Sequence, residues 1–140
     1  MARLSAFFIV NPRSGGGRTE RLWPELRTYL VRLGMEVEFA ETSRQGEGAE
    51  IGRRAAGEGY PLVVAVGGDG TVNEVVNGLV DQNGTSAAVL GCLFTGRGCD
   101  GARNLSLPRD VREACRRLVE GQDLTVDLGL VRWGRGGERC

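Results

Sequence analysis

The stretch Leu62–Val80, LVVAVGGDGTVNEVVNGLV, decides the fold. Leu62–Val66 is a short unbroken apolar run rich in β-branched residues, the pattern of a central parallel strand covered on both faces. Gly67, Gly68 and Gly70 follow at once. Without Cβ atoms they let the backbone turn tightly and let a ligand approach it. Val72, Val75, Val76, Leu79 and Val80 then recur at the spacing of one apolar helix stripe. The reading is strand, glycine turn, helix. Such a turn points free N–H groups outward at a helix N-terminus, where phosphate binds well. Asp69 is the exception, because a carboxylate repels phosphate unless a metal, a donor or a hydroxyl meets it. Thr71-x-x-Glu74 also fits a capping box, which would give those two residues a purely structural task. Asp69 also suits a plain turn.

Length and composition set the frame. A chain of 140 residues with 41% hydrophobic and 26% charged residues reads as one soluble globular domain with a real core. Its 23 glycines are about twice the usual share, but they cluster after predicted strands and so mark turns. The formal net charge of +0 argues against nonspecific binding to nucleic acid or an anionic membrane. All 18 basic residues are Arg. With neither Lys nor His in the chain, a Lys grip on phosphate and a His general base are excluded, and cationic contacts fall to Arg, whose fork suits phosphate. Cys92, Cys99, Cys115 and Cys140 show no C-x-x-C spacing. That disfavours a disulfide scaffold or zinc site and points to a reducing cytosol. No apolar run approaches the roughly 18–20 residues of a membrane span, and the N-terminal run is too short for a signal sequence.

Outward from the central stretch, the pattern repeats. Leu4–Val10 is strand-like and stops at Asn11-Pro12, after which Arg13-Ser14-Gly15-Gly16-Gly17-Arg18 forms a second glycine loop, here with two Arg. It is either phosphate-facing or a solvated connection. A helix follows through Leu22, Leu26, Tyr29, Leu30 and Leu33, with Pro24 expected near its first turn and Gly34 as its stop. Met35–Ala40 is a short strand, Glu41–Gly46 a polar turn, and Glu47–Glu58 a helix. Asp81–Ser86 is a loop, Ala87–Leu93 another buried strand, and Phe94–Asn104 a third glycine-rich loop. Asp110 caps a helix through Val111, Ala114, Cys115, Leu118 and Val119 that ends at Gly121. Leu124, Val126, Leu128 and Leu130 then alternate with Thr125, Asp127, Gly129 and Val131, which predicts a half-exposed antiparallel strand. Arg135-Gly136-Gly137 reads as a hairpin turn, with Glu138–Cys140 beginning the return inside an unfinished second layer.

Strands alternating with helices predict an open, doubly wound, mostly parallel α/β sheet with helices on both faces. Ligands of such sheets sit beyond the strands' C-terminal ends, where all three glycine loops fall. Two motif readings drop out. No G-x-x-x-x-G-K-[ST] is present, and Gly96-Arg97-Gly98-Cys99-Asp100-Gly101 matches G-x-G-x-x-G too late in the chain for a dinucleotide fingerprint.

Three patches then carry a family resemblance: Val10–Gly17 (VNPRSGGG), Val66–Gly78 (VGGDGTVNEVVNG), and Gly96–Asp100 with Ala102-Arg103-Asn104-Leu105. With the ending Val126-Asp127-Leu128-Gly129, they resemble, in order and across essentially the whole chain, the catalytic domain of the diacylglycerol kinase family, which includes bacterial soluble lipid kinases and sphingosine and ceramide kinases. GGDG alone is shared with NAD kinases and phosphofructokinases. The resemblance implies an ATP-binding α/β domain over residues 1–123 and the start of a C-terminal β-rich domain over 124–140, with ATP in the cleft between domains. It implies that Asn11, Pro12 and Arg13, with Ser14 and Gly15, line the nucleotide site, and that Thr42 and its turn lie near the base or ribose. It implies that Gly67, Gly68, Gly70 and Thr71 hold phosphates by backbone N–H groups with Glu74 close by. Asp69 would sit nearest the transferred phosphoryl, as catalytic base or as orienter of the acceptor hydroxyl. Gly96, Arg97 and Gly98 would complete the phosphate side. Mg²⁺ accompanies ATP in this reading, with no metal ligand assigned within the chain. Phosphoryl transfer needs mainly positioning and charge neutralisation, which glycine N–H groups, Arg and Mg²⁺ supply.

The third loop departs from the family pattern P-x-G-T-G-N-D: Phe94 replaces Pro, Arg97 Thr, and Cys99 Asn, while Asp100 remains. Glu47 stands where a His is common. A lipid acceptor at a membrane surface would be met largely by a C-terminal domain, so the chain is expected in the cytoplasm, at most peripheral to the membrane. The unfinished hairpin leaves apolar surface open to homodimerisation. An NAD kinase-like phosphotransferase and a noncatalytic nucleotide-binding module stand as the alternatives.

Overall fold

The structure, a computed structural model, describes residues 4–134 and 136–140. Four strands, β1 (Leu4–Val10), β2 (Met35–Glu41), β3 (Leu62–Gly67) and β4 (Val89–Phe94), pair in parallel in the order β2-β1-β3-β4. Every residue of β3 is buried, as its unbroken apolar run requires for a strand covered on both faces. Helices α1 (Arg18–Arg32) and α5 (Val111–Glu120) cover one face, where Phe8, Val10, Val64, Val66 and Leu93 meet Trp23, Leu26, Leu30 and Cys115. Helices α2 (Glu47–Gly57) and α3 (Asp69–Leu79) cover the other, where Ile9, Val63 and Ala65 meet Ile51, Ala55, Val75 and Leu79. The doubly wound α/β architecture read from the pattern is the one observed. No helix among the described residues is long and apolar enough to cross a membrane.

The chain leaves β1 to one side through α1 and β2, then returns past it through α2 to β3. The switch point therefore lies between β1 and β3, the usual binding crevice of an open α/β sheet. There the Asn11 N–H donates to the Val66 carbonyl at 2.9 Å, tying the first loop to the end of β3.

Several boundaries differ from the sequence reading, each for a physical reason. Pro24 lies well inside α1 rather than at its first turn. An interior proline removes one helical hydrogen bond and crowds the turn before it, at about 3 kcal/mol. The helix persists because Trp23, Leu26 and Leu30 are buried, with Trp23 packed tilted against Phe8 and edge-on against Phe39 at centroid distances of 5.4 and 5.3 Å. The last sheet strand starts at Val89, not Ala87, since its ladder partner β3 begins at Leu62. The third loop holds a short helix, α4 (Asp100–Asn104). Gly34 and Asp110 behave as read: Gly34 turns the chain at φ +94°, and the Asp110 carboxylate accepts the Glu113 N–H at 2.8 Å.

The largest correction concerns the end. The alternating segment Leu124–Leu130 belongs to no strand and is exposed throughout. The hairpin itself forms, but between β5 (Val131–Trp133) and β6 (Gly137–Arg139), each three residues long, with Gly136 at φ +78° in the turn. Arg135, assigned to that turn, lies outside the described residues. Alternation gives a segment two faces; a ladder also needs a second strand, and the return strand reaches back only to Val131.

Candidate functional site

Three loops meet at the C-terminal edge of the sheet. The first, Asn11–Gly17, crosses the end of β3: the Asn11 side-chain amide donates to Thr71 Oγ1 at 3.2 Å while its carbonyl oxygen accepts the Arg13 N–H at 3.1 Å. Ser14 Oγ lies 3.5 Å from the same Thr71 hydroxyl. Gly67 is needed between them, because a Cβ there would stand 2.5 Å from Thr71 Oγ1 and 2.9 Å from Ser14 Oγ. The third loop closes from the other side. Thr95 and Gly96 N–H groups donate to the Gly67 carbonyl, and a Cβ on Gly96 would fall 2.6 Å from Gly68 Cα. Beneath them Thr19 and Thr95, both fully buried, share a hydroxyl–hydroxyl bond of 2.5 Å that fastens the start of α1 to the end of β4. Sequence reading missed this pair, since two threonines far apart in the chain carry no pattern.

Between the first loop, the turn after β2 and the start of α3 opens a cleft of about 280 Å³. Of the residues singled out from sequence, Asn11, Arg13, Ser14, Thr42, Gly68, Gly70, Thr71 and Glu74 line it. The others do not. Pro12 continues the first loop, Gly15 packs against the Thr95 carbonyl, Gly67 lies beneath as the spacer just described, and Gly96 supports Gly68 from below. Arg97 reaches across Gly16, where a Cβ would stand 2.8 Å from its Nη2, and Gly98 turns at φ +77° beyond it. Ser43, Arg44 and Gln45 also line the cleft. Their polar turn was visible in the sequence, but nothing in its composition separated those side chains from ordinary loop residues.

Helix α3 begins at Asp69, three residues earlier than a capping box at Thr71 would place it, and its N-cap Gly68 has no side-chain cap. The first helical bond runs from the Val72 N–H to the Gly68 carbonyl, so the N–H groups ahead of it have no intrahelical partner. They carry the positive end of the helix dipole toward the cleft. The capping-box reading of Thr71 and Glu74 is therefore corrected. Thr71 turns its hydroxyl to the first loop. Glu74 reaches away from its own helix and accepts the N–H of Gly46 at 2.8 Å and of Gly48 at 3.1 Å.

Asp69 is exposed and does not itself line the cleft, although its neighbours Gly68 and Gly70 do. Its two carboxylate oxygens accept the N–H groups of Asp100, at 3.0 Å, and Gly101, at 2.8 Å. The single plain-turn role is thus replaced by a bridge that holds α4 to the glycine turn after β3. Beside it, Cys99 adopts φ +50° and its thiol lies 3.2 Å from the Gly96 carbonyl. Burial and the Asp69 charge push that thiol's pKa up, against the pull of Arg18 and Arg109. At the far rim, Glu47 accepts from the Ser43 N–H, the Ser43 hydroxyl and the Arg44 N–H, which hold its carboxyl below the usual range. Glu47, in the position where the resemblance expected a His, thereby ties the Ser43-Arg44 turn to the start of α2.

The exposed side of α3 has its own partner. Asn73 donates to the Cys140 carbonyl at 2.7 Å, while the Asn77 amide accepts the Cys140 N–H at 2.8 Å and donates to its carbonyl at 3.3 Å.

A doubly wound α/β sheet with a glycine-lined cleft at its switch point defines the class. The chain belongs to the diacylglycerol kinase catalytic-domain family, whose model matches residues 5–131. It is 34% identical over 127 residues to a diacylglycerol kinase of Staphylococcus carnosus, covering 91% of this chain and 41% of that protein. It is 35% identical to one of Staphylococcus haemolyticus, covering 91% and 38%. The crystal structure of a diacylglycerol kinase from Bacillus anthracis superimposes with a TM-score of 0.73 at 24% identity, over 87% of this chain and 44% of that one, which shows the shared fold. The chain thus spans about two fifths of the length of the curated relatives it matches.

Proposed function

We propose that this chain is the nucleotide-binding part of a lipid kinase that transfers the γ-phosphoryl of ATP to a hydroxyl of a diacylglycerol-like lipid. The observation that carries this reading is the uncapped N-terminus of α3 opening into the cleft shared with the Asn11–Gly17 loop and the turn after Thr42. Phosphates fit the N–H end, with Arg13 and Arg97 as guanidinium partners. The nucleoside fits the Thr42–Gln45 side. Asp69 lies between Gly68 and Gly70 of the cleft, and a carboxylate next to the phosphate side is suited to orient or deprotonate an acceptor hydroxyl. To act so it must share or release its N–H partners Asp100 and Gly101.

Mg²⁺ fits as a companion of the nucleotide. No cluster of three or more His, Cys, Asp or Glu suited to a metal occurs among the described residues. Mg²⁺ characteristically takes one or two carboxylates and completes its shell with substrate phosphates and water. Asp69 is the carboxylate available on the phosphate side, and the ion would supply charge neutralisation there.

Residues 1–123 form the ATP-binding unit in this proposal and 124–140 begin a β-rich second domain. The separate hairpin and the greater length of the relatives support that division. The lipid acceptor, met at a membrane surface, and homodimerisation through exposed Leu124, Val126 and Leu128 belong to the same proposal. A noncatalytic nucleotide-binding role is the second reading, favoured by the occupied Asp69 carboxylate and the altered third loop.

Calorimetric titration of Mg-ATP into the chain tests the site. Saturable binding that Gly68→Val abolishes is expected; no binding by folded protein overturns the nucleotide reading. Offering diacylglycerol and NAD separately with ATP tests the acceptor. Transfer only to NAD would move the protein to the NAD kinase-like alternative, and ATP binding without transfer to either to the noncatalytic one.

A further inference from the structure

Glu74 belongs to the helix that carries the phosphate-loop sequence, yet its side chain serves a different segment. Oε1 accepts the Gly46 N–H and Oε2 the Gly48 N–H, at 2.8 and 3.1 Å. Gly46 and Gly48 flank the start of α2, directly after the Thr42–Gln45 turn that lines one wall of the cleft. The carboxylate of α3 therefore caps the N-terminus of the preceding helix α2, where its charge also meets the helix dipole.

The backbone is shaped for this contact. A Cβ at Gly48 would stand 2.8 Å from Glu74 Oε2 and 3.1 Å from Glu74 Cβ. A Cβ at Gly52, one turn on, would stand 3.4 Å from the Val75 carbonyl oxygen, and one at Gly78 would fall inside the Ala49 carbonyl oxygen. Helices α2 and α3 thus touch backbone to backbone, and Glu74 sits at the end of their contact nearest the cleft. Strand β1 holds the start of the Thr42–Gln45 turn through the Val10 carbonyl, which accepts the Thr42 N–H at 2.8 Å and lies 3.5 Å from the Thr42 hydroxyl, while Glu47 at the start of α2 holds Ser43 and Arg44.

We propose that Glu74 is a positioning residue that sets the distance between the phosphate side and the nucleoside side of the cleft. It does so by fixing the Thr42–Gln45 turn to α3 through Gly46 and Gly48. The proposal rests on the nucleotide reading of the cleft for its consequence, but the tether itself is independent of any ligand.

The test uses the whole chain with Glu74→Gln, Glu74→Ala, Gly48→Ala and the Gly48→Ala/Glu74→Ala double variant. Mg-ATP and inorganic tripolyphosphate are the calorimetric probes, and amide hydrogen exchange is followed at Gly46 and Gly48. Loss of two charge-assisted bonds predicts that Glu74→Ala weakens Mg-ATP about tenfold or more. Tripolyphosphate affinity stays within about twofold, since the α3 N–H groups are untouched. Exchange at Gly46 and Gly48 quickens while α3 stays protected. Glu74→Gln falls between, because its amide keeps one acceptor oxygen. Gly48→Ala reproduces the defect from the other side, and the double variant is no worse than Glu74→Ala alone.

Equal loss of both probes would overturn the proposal by showing that Glu74 serves the phosphates or their metal directly. Unchanged Mg-ATP affinity in Glu74→Ala would overturn it as well, and so would unchanged exchange at Gly46 and Gly48. If the wild-type chain bound no Mg-ATP, the nucleotide reading would fail instead, and the exchange measurement would still decide whether the tether exists.

Discussion

The segments Leu62–Gly67 and Leu124–Leu130 are both rich in apolar residues, and they end in opposite states. The first is wholly buried between β1 and β4, with helices on both faces. The second runs exposed and unpaired, with Leu124 at 76% and Leu128 at 52% of full exposure. A strand is stabilised by its neighbours on the ladder and by the side chains packed on its faces. Leu62–Gly67 has both kinds of neighbour inside this chain. Leu124–Leu130 has neither among the described residues.

That contrast can be broken most directly by truncating one side chain in each region. Phe8→Ala, on the strand next to Leu62–Gly67, is expected to destabilise the fold by about 3–5 kcal/mol in urea unfolding, while Leu128→Ala stays within about 0.5 kcal/mol. Comparable losses would show that the end segment packs in solution.

Alkaline titration gives the next largest effect. Burial pushes the Cys92 thiol up to about 12 and Cys115 up to about 11, from 9.0. Both folded values lie above the unfolded one, so these thiols leave stability intact below pH 9. They withdraw it as pH rises from about 9 toward 11–12, where unfolded thiols ionise and folded ones do not. Urea midpoints should fall across that window, and Cys92→Ala should flatten the fall. A fall shifted to lower pH would contradict burial as the cause.

Asp110→Ala should cost about 1 kcal/mol, the usual worth of an N-cap. The loss should appear as faster amide exchange in the first turn of α5. The smallest effect belongs to the hydrogen bonds that hold Cys140 to α3. Asn77→Ala removes the acceptor of the Cys140 N–H, and its stability change should stay within about 0.5 kcal/mol. The Cys140 amide should nevertheless exchange markedly faster. No change at that amide would mean that the clamp of Asn73 and Asn77 on the chain end does not form.

Much of the fold was legible because burial on two faces writes a simple signal. Unbroken apolar runs marked the central strands, a 3.6-residue stripe marked the helices, and Gly34 and Asp110 marked their ends. Pro24 misled because local propensity placed a helix start there, while Trp23 beside it was already committed to the core with Phe8 and Phe39. Part of the site was legible too. Residues after each strand had to fall on one sheet edge, which gathered Asn11, Thr42 and Gly68 around one cleft. The task of each side chain was less legible. Glu74 looked like a cap for its own helix and instead serves α2, and Asp69 holds Asp100 and Gly101 across the third loop.

The sequence by itself determined the element order through β4, the parallel sheet, the edge that bears the cleft and the family. These follow from periodicity, from chain connectivity and from contiguous motifs, all of which are local. Tertiary structure alone decided that Thr19 meets Thr95, that Gly67, Gly78 and Gly96 sit where a Cβ would collide, and that Glu74 reaches Gly46 and Gly48. Each of these joins residues far apart in the chain, and a hydrogen bond or a backbone contact depends on ångström-scale placement that no spacing in the sequence encodes.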